Sequence, residues 1–594
     1  MIDTLNKWII SASGWRSIFA KSFDEDDFTK EISDENTGLL YLAAKAFASY
    51  IIEKKQNPDI VLGRDTRPTG SVIAAIMYQA LKEEGINVLY PGIIAAPEIM
   101  AFARKYDAFV YISASHNPVG HNGIKFGLND GGVLPGAESK KIAEIFYKYV
   151  DSEIEKDKGK SLIEKVKNIL LVNPPASFCP DKKIKDDALK TYFDFTKEVV
   201  SDLKDKKFQD EYFDNLKKLV QKRSISILAD MNGSSRCLSI DKDFLINYGI
   251  GFEAINNTAG KIVHEIIPEP ENLTYLAEEM ERLHADGKSD FLLGYMPDCD
   301  GDRGNVVYWD ESTCKARILK AQEVFALCVL SELASLRLSS ESEKASLAVA
   351  VNDATSMRIE DIAKAFDAKV FRAEVGEANV VNLARKLRNQ GYKVKILGEG
   401  SNGGNITHPA AVRDPLNTIF SLIKLIINPD IFKLWCEKSG QTDKFIQNAS
   451  LSDIYKTLPV YTTTGVTEPR AKLQILTKDH SQLKAAYQSV LDLQWQNAYA
   501  DFSIKYGIMG FESVCNVGTE ETRNLTDFTK SARGGLKLIF LDMAKNPIAF
   551  VWMRGSGTES VFRVMCDVKG DNPQMERELL EWHTKLIKAA DSIA

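Results

Sequence analysis

The chain is poor in cysteine for its length: the eight cysteines, at 179, 237, 299, 314, 328, 436, 515 and 566, are scattered over 594 residues with no C-x-x-C and no metal-like spacing. A reduced, cytosolic protein is the reading that this spacing supports. An excess of positive charge is also missing. Lys plus Arg number 75 against 82 Asp plus Glu, a net charge of -7, so there is no general attraction to nucleic acid or to acidic membranes. Any anionic ligand must be held by local cations and backbone N–H groups. Long apolar runs are absent as well, because "TIFSLIKLIIN" is short and carries Lys424. The N-terminal "MIDTLNKWIISASGW" has no basic leader ahead of an apolar stretch, and the expectation is a cytoplasmic protein that neither spans nor crosses a membrane. No G-x-S-x-G occurs and no Ser-His-Asp set is visible, which argues against acyl transfer.

What is present describes a soluble protein of several cores. Hydrophobic residues make up 44% and charged residues 26% of the chain. At about 150 residues per domain, the length suggests about four domains. Three β-branched runs end on aspartate and turn residues: "DIVLGRDTRPTG" from 59, "SISILADMNGSS" from 224 and "LAVAVNDATSMR" from 347. A helix-like stretch and a second strand follow each, "GINVLYPG" from 85, "GIGFEAIN" from 249 and "DAKVFRAEVG" from 367. After another helix a third strand runs into an unusual loop: "AFVYISASHNP" from 108, "DFLLGYMPDCDGDR" from 290 and "VKILGEGSNGG" from 394. Strand alternating with helix at this spacing predicts three related α/β units with mixed, mostly parallel sheets. The tail from 533 reads as hairpin-joined strands and a closing helix, a fourth, α+β domain. The predicted domains are 1–186, 187–316, 317–465 and 466–594. Two stretches, about 151–222 and 428–495, fit the repeat poorly and read as solvated helical insertions or connectors.

Open α/β sheets bind ligands beyond the C-terminal ends of their strands, so the loops carry the chemistry. "DCDGDR" sets Asp298, Asp300 and Asp302 at alternate positions with Gly301 allowing a tight bend. Three oxygen ligands of this kind select a hard divalent ion such as magnesium, and the later glutamate of a calcium EF-hand is missing. "RGSGTES", 554–560, offers Arg554 and the hydroxyls of Ser556 and Thr558, a donor set suited to phosphate. "GEGSNGG", 398–404, places Glu399 and Ser401 at alternate positions, which suits neighbouring sugar hydroxyls and equally fits a plain loop. Arg16 in "SASGWRS" reads as a catalytic or a surface cation. A serine, Ser115, near a divalent cation and a phosphate loop points to phosphoryl transfer, in which positioning and charge neutralisation supply most of the catalysis.

"SASHNP", "DCDGDR", "GEGSNGG" and "RGSGTES", in this order and at these separations, resemble the four signature loops of the α-D-phosphohexomutases, the phosphoglucomutase and phosphomannomutase superfamily. The resemblance covers essentially the whole chain and implies three related α/β domains and a smaller C-terminal domain around a central cleft. It implies that Ser115 is the phosphoserine and that it binds Mg2+ together with Asp298, Asp300 and Asp302. It further implies that Glu399 and Ser401 contact sugar hydroxyls, and that Arg554, Ser556, Gly557 and Thr558 hold the non-reacting phosphate. Lys125, in "NGIK", matches the family's general acid or base, and Arg16, His116 and Arg303 fall on family active-site positions. The implied reaction interconverts hexose 1-phosphate and hexose 6-phosphate through a hexose 1,6-bisphosphate. The small-molecule partner is thus a sugar phosphate.

Departures from the pattern bear on specificity. Ser560 stands where the family commonly has proline, Gly555 follows Arg554, and Gly403 stands where many phosphomannomutases and phosphoglucosamine mutases carry histidine. Glucose is the leading substrate on this reading, with mannose next. "ISASHNP" and "NGIKF" also resemble the phosphoglucosamine branch. A glucose 1,6-bisphosphate synthase, a metal-dependent phosphatase and a non-catalytic sugar-phosphate sensor are the competing readings.

Overall fold

The computed structural model describes the chain except for residues 12–13, 176–177, 340–343, 402, 533 and 556–560. It divides into two compact units, one of residues 1–319 with 406–420 and one of residues 320–405 with 421–594.

The first unit holds two sheets. Strands β1 (Ile9–Ser11), β2 (Gly14–Ile18), β3 (Asp59–Arg64), β4 (Asn87–Ile93), β5 (Ala108–Ile112) and β6 (His121–Leu128) assemble in the order β1-β2-β6-β5-β3-β4. The second sheet comprises β7 (Ser226–Asp230), β8 (Gly251–Ile255), β9 (Phe291–Pro297), β10 (Gly304–Asp310) and β11 (Lys315–Ile318), in the order β11-β10-β9-β7-β8. In each, the first strand of the repeat lies between the second and third and runs parallel to both. In the other unit β12 (Leu347–Asn352) is likewise flanked by parallel β13 (Ala368–Ala373) and β14 (Ile396–Gly398). β7 and β12 are buried along their length and β3 at all but its two end residues, as apolar runs require when helices cover both faces. Antiparallel neighbours join where the chain returns quickly. β6 follows β5 after a loop of residues 113–120, and β10 follows β9 after residues 298–303. Connections this short cannot make the crossover that a parallel partner needs. The sheets are therefore mixed, and the loop at each of these returns is pinned at both ends by a strand.

Residues 535–569 form the expected meander. Gly535–Leu541, Pro547–Gly555 and Phe562–Lys569 pair antiparallel, with Gly510–Val517 at one side. The helices His480–Tyr506 and Pro573–Asp591 pack their apolar faces on this sheet through Leu483, Tyr487, Leu579 and Leu586.

The two irregular stretches differ from each other. Residues 151–222 are helical, as read, but Lys182–Ser201 is no solvated appendage, since Ala188, Tyr192 and Thr196 are fully buried. Residues 428–495 depart further from a solvated helical connector. Trp435 is buried, and Tyr461–Thr463 and Lys472–Leu473 add as short strands to Phe562–Lys569. Strands of two or three residues have too little periodicity to be read against a charged background. Among the described residues no helix is long and apolar enough to cross a membrane.

Candidate active site

β5 ends at Ile112 and delivers Ser113 and Ser115 into the return loop. Ser115 takes φ of 56°, the left-handed region that a serine rarely adopts, and its N–H donates to Ser113 Oγ at 2.8 Å. Arg67 holds this turn from below. Its guanidinium donates to the carbonyls of Ser115 (2.7 Å) and Asn117, and to the Asp65 carboxylate, with both side chains fully buried. The strain at Ser115 is thus maintained by a buried ion pair between the first and third residues of the loop after β3. Replacing Arg67 by methionine leaves Asp65 buried without its cation and two carbonyls without donors. Arg67→Met is expected to lose about 3–5 kcal/mol in urea unfolding of the purified protein. A loss under about 1 kcal/mol would show that this pair does not hold the turn.

The strained turn aims Ser115 Oγ at Asp298 Oδ2, to which it donates at 2.8 Å. Asp298, Asp300 and Asp302 are all buried, and one oxygen from each lies within 4.8 Å of the others. Lys125, on β6, donates to Asp300 Oδ2 at 2.7 Å and stands 3.8 Å from Asp302. Ser113 Oγ donates to the same Asp300 oxygen at 3.0 Å, whereas Asp300 Oδ1 is buried with no hydrogen-bond partner. Burial, then the charges of Asp300 and Asp302, push the Asp298 carboxyl well above the usual range. Burial raises Asp300 too, but the Lys125 ammonium outweighs it and holds that carboxyl low. For Lys125 burial opposes the charge, and Asp300 and Asp302 win. Converging carboxylates with an unpartnered oxygen, and no soft donor aimed among them, fit a hard divalent cation such as Mg2+.

Cations surround this acidic centre. Arg303 Nε lies 3.9 Å from Asp298 Oδ2, and Arg413 donates to Asp302 Oδ1 at 3.4 Å. The Nε atoms of Arg16 and Arg303 and Nδ1 of His116 are buried without hydrogen-bond partners. Burial and the charges of Arg303, Arg16 and Arg413 hold the His116 imidazole well below its ordinary value, so it is neutral at pH 7. Burial and Arg303 also lower Arg16. Ser115, His116, Lys125, Arg16, Arg303 and the three aspartates therefore occupy one place in the first unit, which offers a hydroxyl nucleophile, a cation seat and unspent donors for an anion.

In the other unit, Glu399 and Ser401 meet at Asn352, which ends β12. The Asn352 amide donates to Glu399 Oε1 at 3.1 Å and to Ser401 Oγ at 3.3 Å. Gly376 N–H also donates to Glu399 Oε1, at 2.6 Å. Two residues earlier, Glu374 takes Arg554 in a two-nitrogen contact at 2.9 and 3.2 Å. The segment after β13 therefore positions both Glu399 and Arg554. Ser556, Gly557 and Thr558 lie outside the described residues. Sequence reasoning missed Asp65, Arg67, Asn352, Glu374 and Arg413. Asp65 and Asn352 stand where the first strand of a repeat ends or one residue beyond it, and that recurrent position was the available signal.

Two family models match: phosphoglucomutase/phosphomannomutase α/β/α domain I over residues 20–152 and domain III over residues 324–435. A phosphoglucomutase/phosphomannomutase of Thermococcus kodakarensis is 25% identical over 547 residues, 91% of each chain. A phosphoglucosamine mutase of Ruminiclostridium cellulolyticum is 43% identical over 95 residues, 16% of this chain and 21% of its own length. The crystal structure of a phosphoglucomutase/phosphomannomutase family protein from Burkholderia thailandensis superposes with a TM-score of 0.62 at 16% identity, covering 98% of this chain and 97% of the other. Domain models matched in both units, and a relative aligned along nearly the full length of both chains, lead to one assignment: the chain belongs to the α-D-phosphohexomutase superfamily and is a phosphotransferring isomerase.

Proposed function

We propose that this enzyme interconverts glucose 1-phosphate and glucose 6-phosphate, with mannose phosphates as secondary substrates, through a phosphoserine at 115 and a glucose 1,6-bisphosphate intermediate. The observation that carries the reading is the strained, buried Ser115 hydroxyl beside three buried carboxylates and Lys125. In the forward half-reaction the bond between phosphorus and Ser115 Oγ breaks as phosphorus bonds to the sugar O6. To Lys125, which donates to Asp300, we assign the exchange of the proton between the serine and sugar oxygens. In the return half-reaction the O1 phosphoryl group moves to Ser115 Oγ, which releases the 6-phosphate. Neutral His116 with Arg16 and Arg303 supplies donors to the travelling phosphoryl oxygens. When bound at Asp298, Asp300, Asp302 and Ser115, Mg2+ neutralises charge on the phosphoryl group.

Glu399 and Ser401 are assigned to sugar hydroxyls, and Arg554, Ser556, Gly557 and Thr558 to the phosphate that is not reacting. Domains at 1–186, 187–316, 317–465 and 466–594 and a cytoplasmic setting belong to the same proposal. The short, 43% identical match to a phosphoglucosamine mutase favours glucosamine phosphate as the second reading. The test is a phosphorus NMR time course with Mg2+, a trace of glucose 1,6-bisphosphate, and the 1-phosphates of glucose, mannose and glucosamine in one tube. Conversion of the glucose ester first, without free phosphate, is expected. Earlier loss of the glucosamine ester would support the second reading. Free phosphate as main product would indicate a phosphatase, and no conversion would turn attention to bisphosphate synthesis or sensing.

A further inference from the structure

Behind the aspartate loop lies a buried polar cluster to which the proposed function assigns no role. Three consecutive carbonyls of that loop are held from outside. Cys299 O accepts from Ser235 N–H at 3.0 Å and Ser235 Oγ at 3.1 Å, Asp300 O from Ala96 N–H at 2.8 Å, and Gly301 O from the Arg236 guanidinium at 3.2 Å. These carbonyls belong to the peptide units that join Cys299 to Asp300, Asp300 to Gly301 and Gly301 to Asp302. Fixing their planes fixes the direction in which the Asp300 and Asp302 side chains leave the backbone. Arg236 also presses on the loop sterically. Gly301 has φ of 73°, and a Cβ there would lie 2.5 Å from Arg236 Cγ, so the arginine stem occupies the space that a side chain would need.

Arg236 is itself held on every side. Its Nε donates to Asp241 Oδ1 at 2.8 Å, its Nη1 to Asp414 Oδ1 at 3.2 Å and its Nη2 to the Tyr192 hydroxyl at 3.3 Å, and the guanidinium is fully buried. Tyr192 in turn donates to Asp414 Oδ2 at 2.6 Å, and Tyr295 donates to Asp241. Tyr192 comes from the helix Lys182–Ser201, inside the stretch that stands apart from the repeated units. The same helix sends Lys185 to Glu98, which sits in the first turn of the helix whose Ala96 N–H holds Asp300 O.

We infer that Arg236, braced by Tyr192, is a positioning residue that sets the geometry of the Asp298, Asp300 and Asp302 cation site, and that the added helix Lys182–Ser201 serves this loop. The inference rests on those aspartates binding the divalent cation. A buried cation with two carboxylates is an expensive way to hold a loop, since apolar residues of like volume are as stabilising or more so. The arrangement is explained if direction of the peptide planes, rather than stability alone, is what it supplies.

The experiment measures Mn2+ binding to the full-length protein by the loss of the free-ion EPR signal, with the unfolding temperature and steady-state kinetics in parallel. Arg236→Met strips Asp241 and Asp414 of their cation and endangers folding, so the informative variants are Tyr192→Phe, which removes one hydroxyl, and Arg236→Lys, which keeps the charge and loses the fork. The expected result is a Kd for Mn2+ raised about 10-fold in Arg236→Lys and about 3-fold or more in Tyr192→Phe, as for other residues that orient metal ligands. KM for the hexose phosphate stays unchanged, and kcat at saturating cation recovers toward wild type. Kd values within 2-fold of wild type in both folded variants would overturn the inference. Wild-type protein that binds no Mn2+ would overturn the cation assignment beneath it, and the two failures are told apart by which protein shows them.

Discussion

Ser115→Ala is expected to abolish mutase turnover, by about 10^4-fold or more, because it removes the atom that carries the phosphoryl group between the two half-reactions. The same protein should take up no label from 32P-labelled glucose 1,6-bisphosphate, whereas wild type is labelled at one serine. The fold should survive. Alanine retains the Cβ and meets the same φ of 56° that serine tolerates, and Arg67 still binds the carbonyls of residues 115 and 117. Activity within 10-fold of wild type would sink the phosphoserine assignment. Loss of activity with labelling retained would move the phosphoryl acceptor to another residue while leaving the reaction class intact.

The second large effect separates two aspartates that look alike in "DCDGDR". Asp298→Asn and Asp300→Asn should each lower kcat by about 10^2–10^3-fold, through loss of charge opposite the transferring group. Their effects on stability should have opposite signs. Asp298 carries a raised carboxyl, because burial and two neighbouring carboxylates disfavour its charge. A carboxyl raised in the folded state binds its proton more tightly there than when unfolded, so keeping it ionised at neutral pH costs stability. The neutral amide removes that cost, and Asp298→Asn is expected to unfold at a higher temperature than wild type in chelator. Asp300 is held low by Lys125, so its charge contributes stability that is present at neutral pH and lost only in acid. Asp300→Asn strands a buried ammonium and should lose about 2–3 kcal/mol. Differential scanning calorimetry of both variants in EDTA decides the matter. Equal shifts of the same sign would contradict the charge pattern described for the site.

How much of this was legible beforehand depends on distance along the chain. The three units could be read because each repeats a β-branched run, a helix and a second run within 35 residues or fewer, and β3, β7 and β12 lie between their parallel partners. Asp298 and Ser115, the proposed cation ligand and phosphoryl carrier, could be picked out because residue type and spacing restrict what such loops do, whereas Lys125 was marked only by the resemblance of "NGIK" to the family. Arg67 and Arg236 could not, although both stand in quoted segments or beside them. Each acts on a loop far along the chain, Arg67 on Ser115 and Arg236 on Gly301, and no local pattern marks an arginine whose partners are backbone carbonyls. The role of Tyr192 was hidden for the opposite reason. It sits in a lysine-rich helix that reads as solvent-facing, while one face of that helix is fully buried. Tyr461–Thr463 and Lys472–Leu473 were lost among charges because a strand of two or three residues is made by its partner, Phe562–Lys569, and not by its own sequence.

Cys299 stands between Asp298 and Asp300, close enough in sequence to have joined them. Its thiol lies instead 3.4 Å from the Thr66 hydroxyl, buried, with its acidity suppressed to about 12 chiefly by that burial. Alternation along the loop thus sorts the donors, oxygen to one side and sulfur to the other. Zinc and copper, which bind thiolate far more strongly than magnesium does, find no sulfur among the carboxylates. A cation seated among these carboxylates would meet oxygen alone, so the proposed magnesium site would offer a thiophilic metal no thiolate.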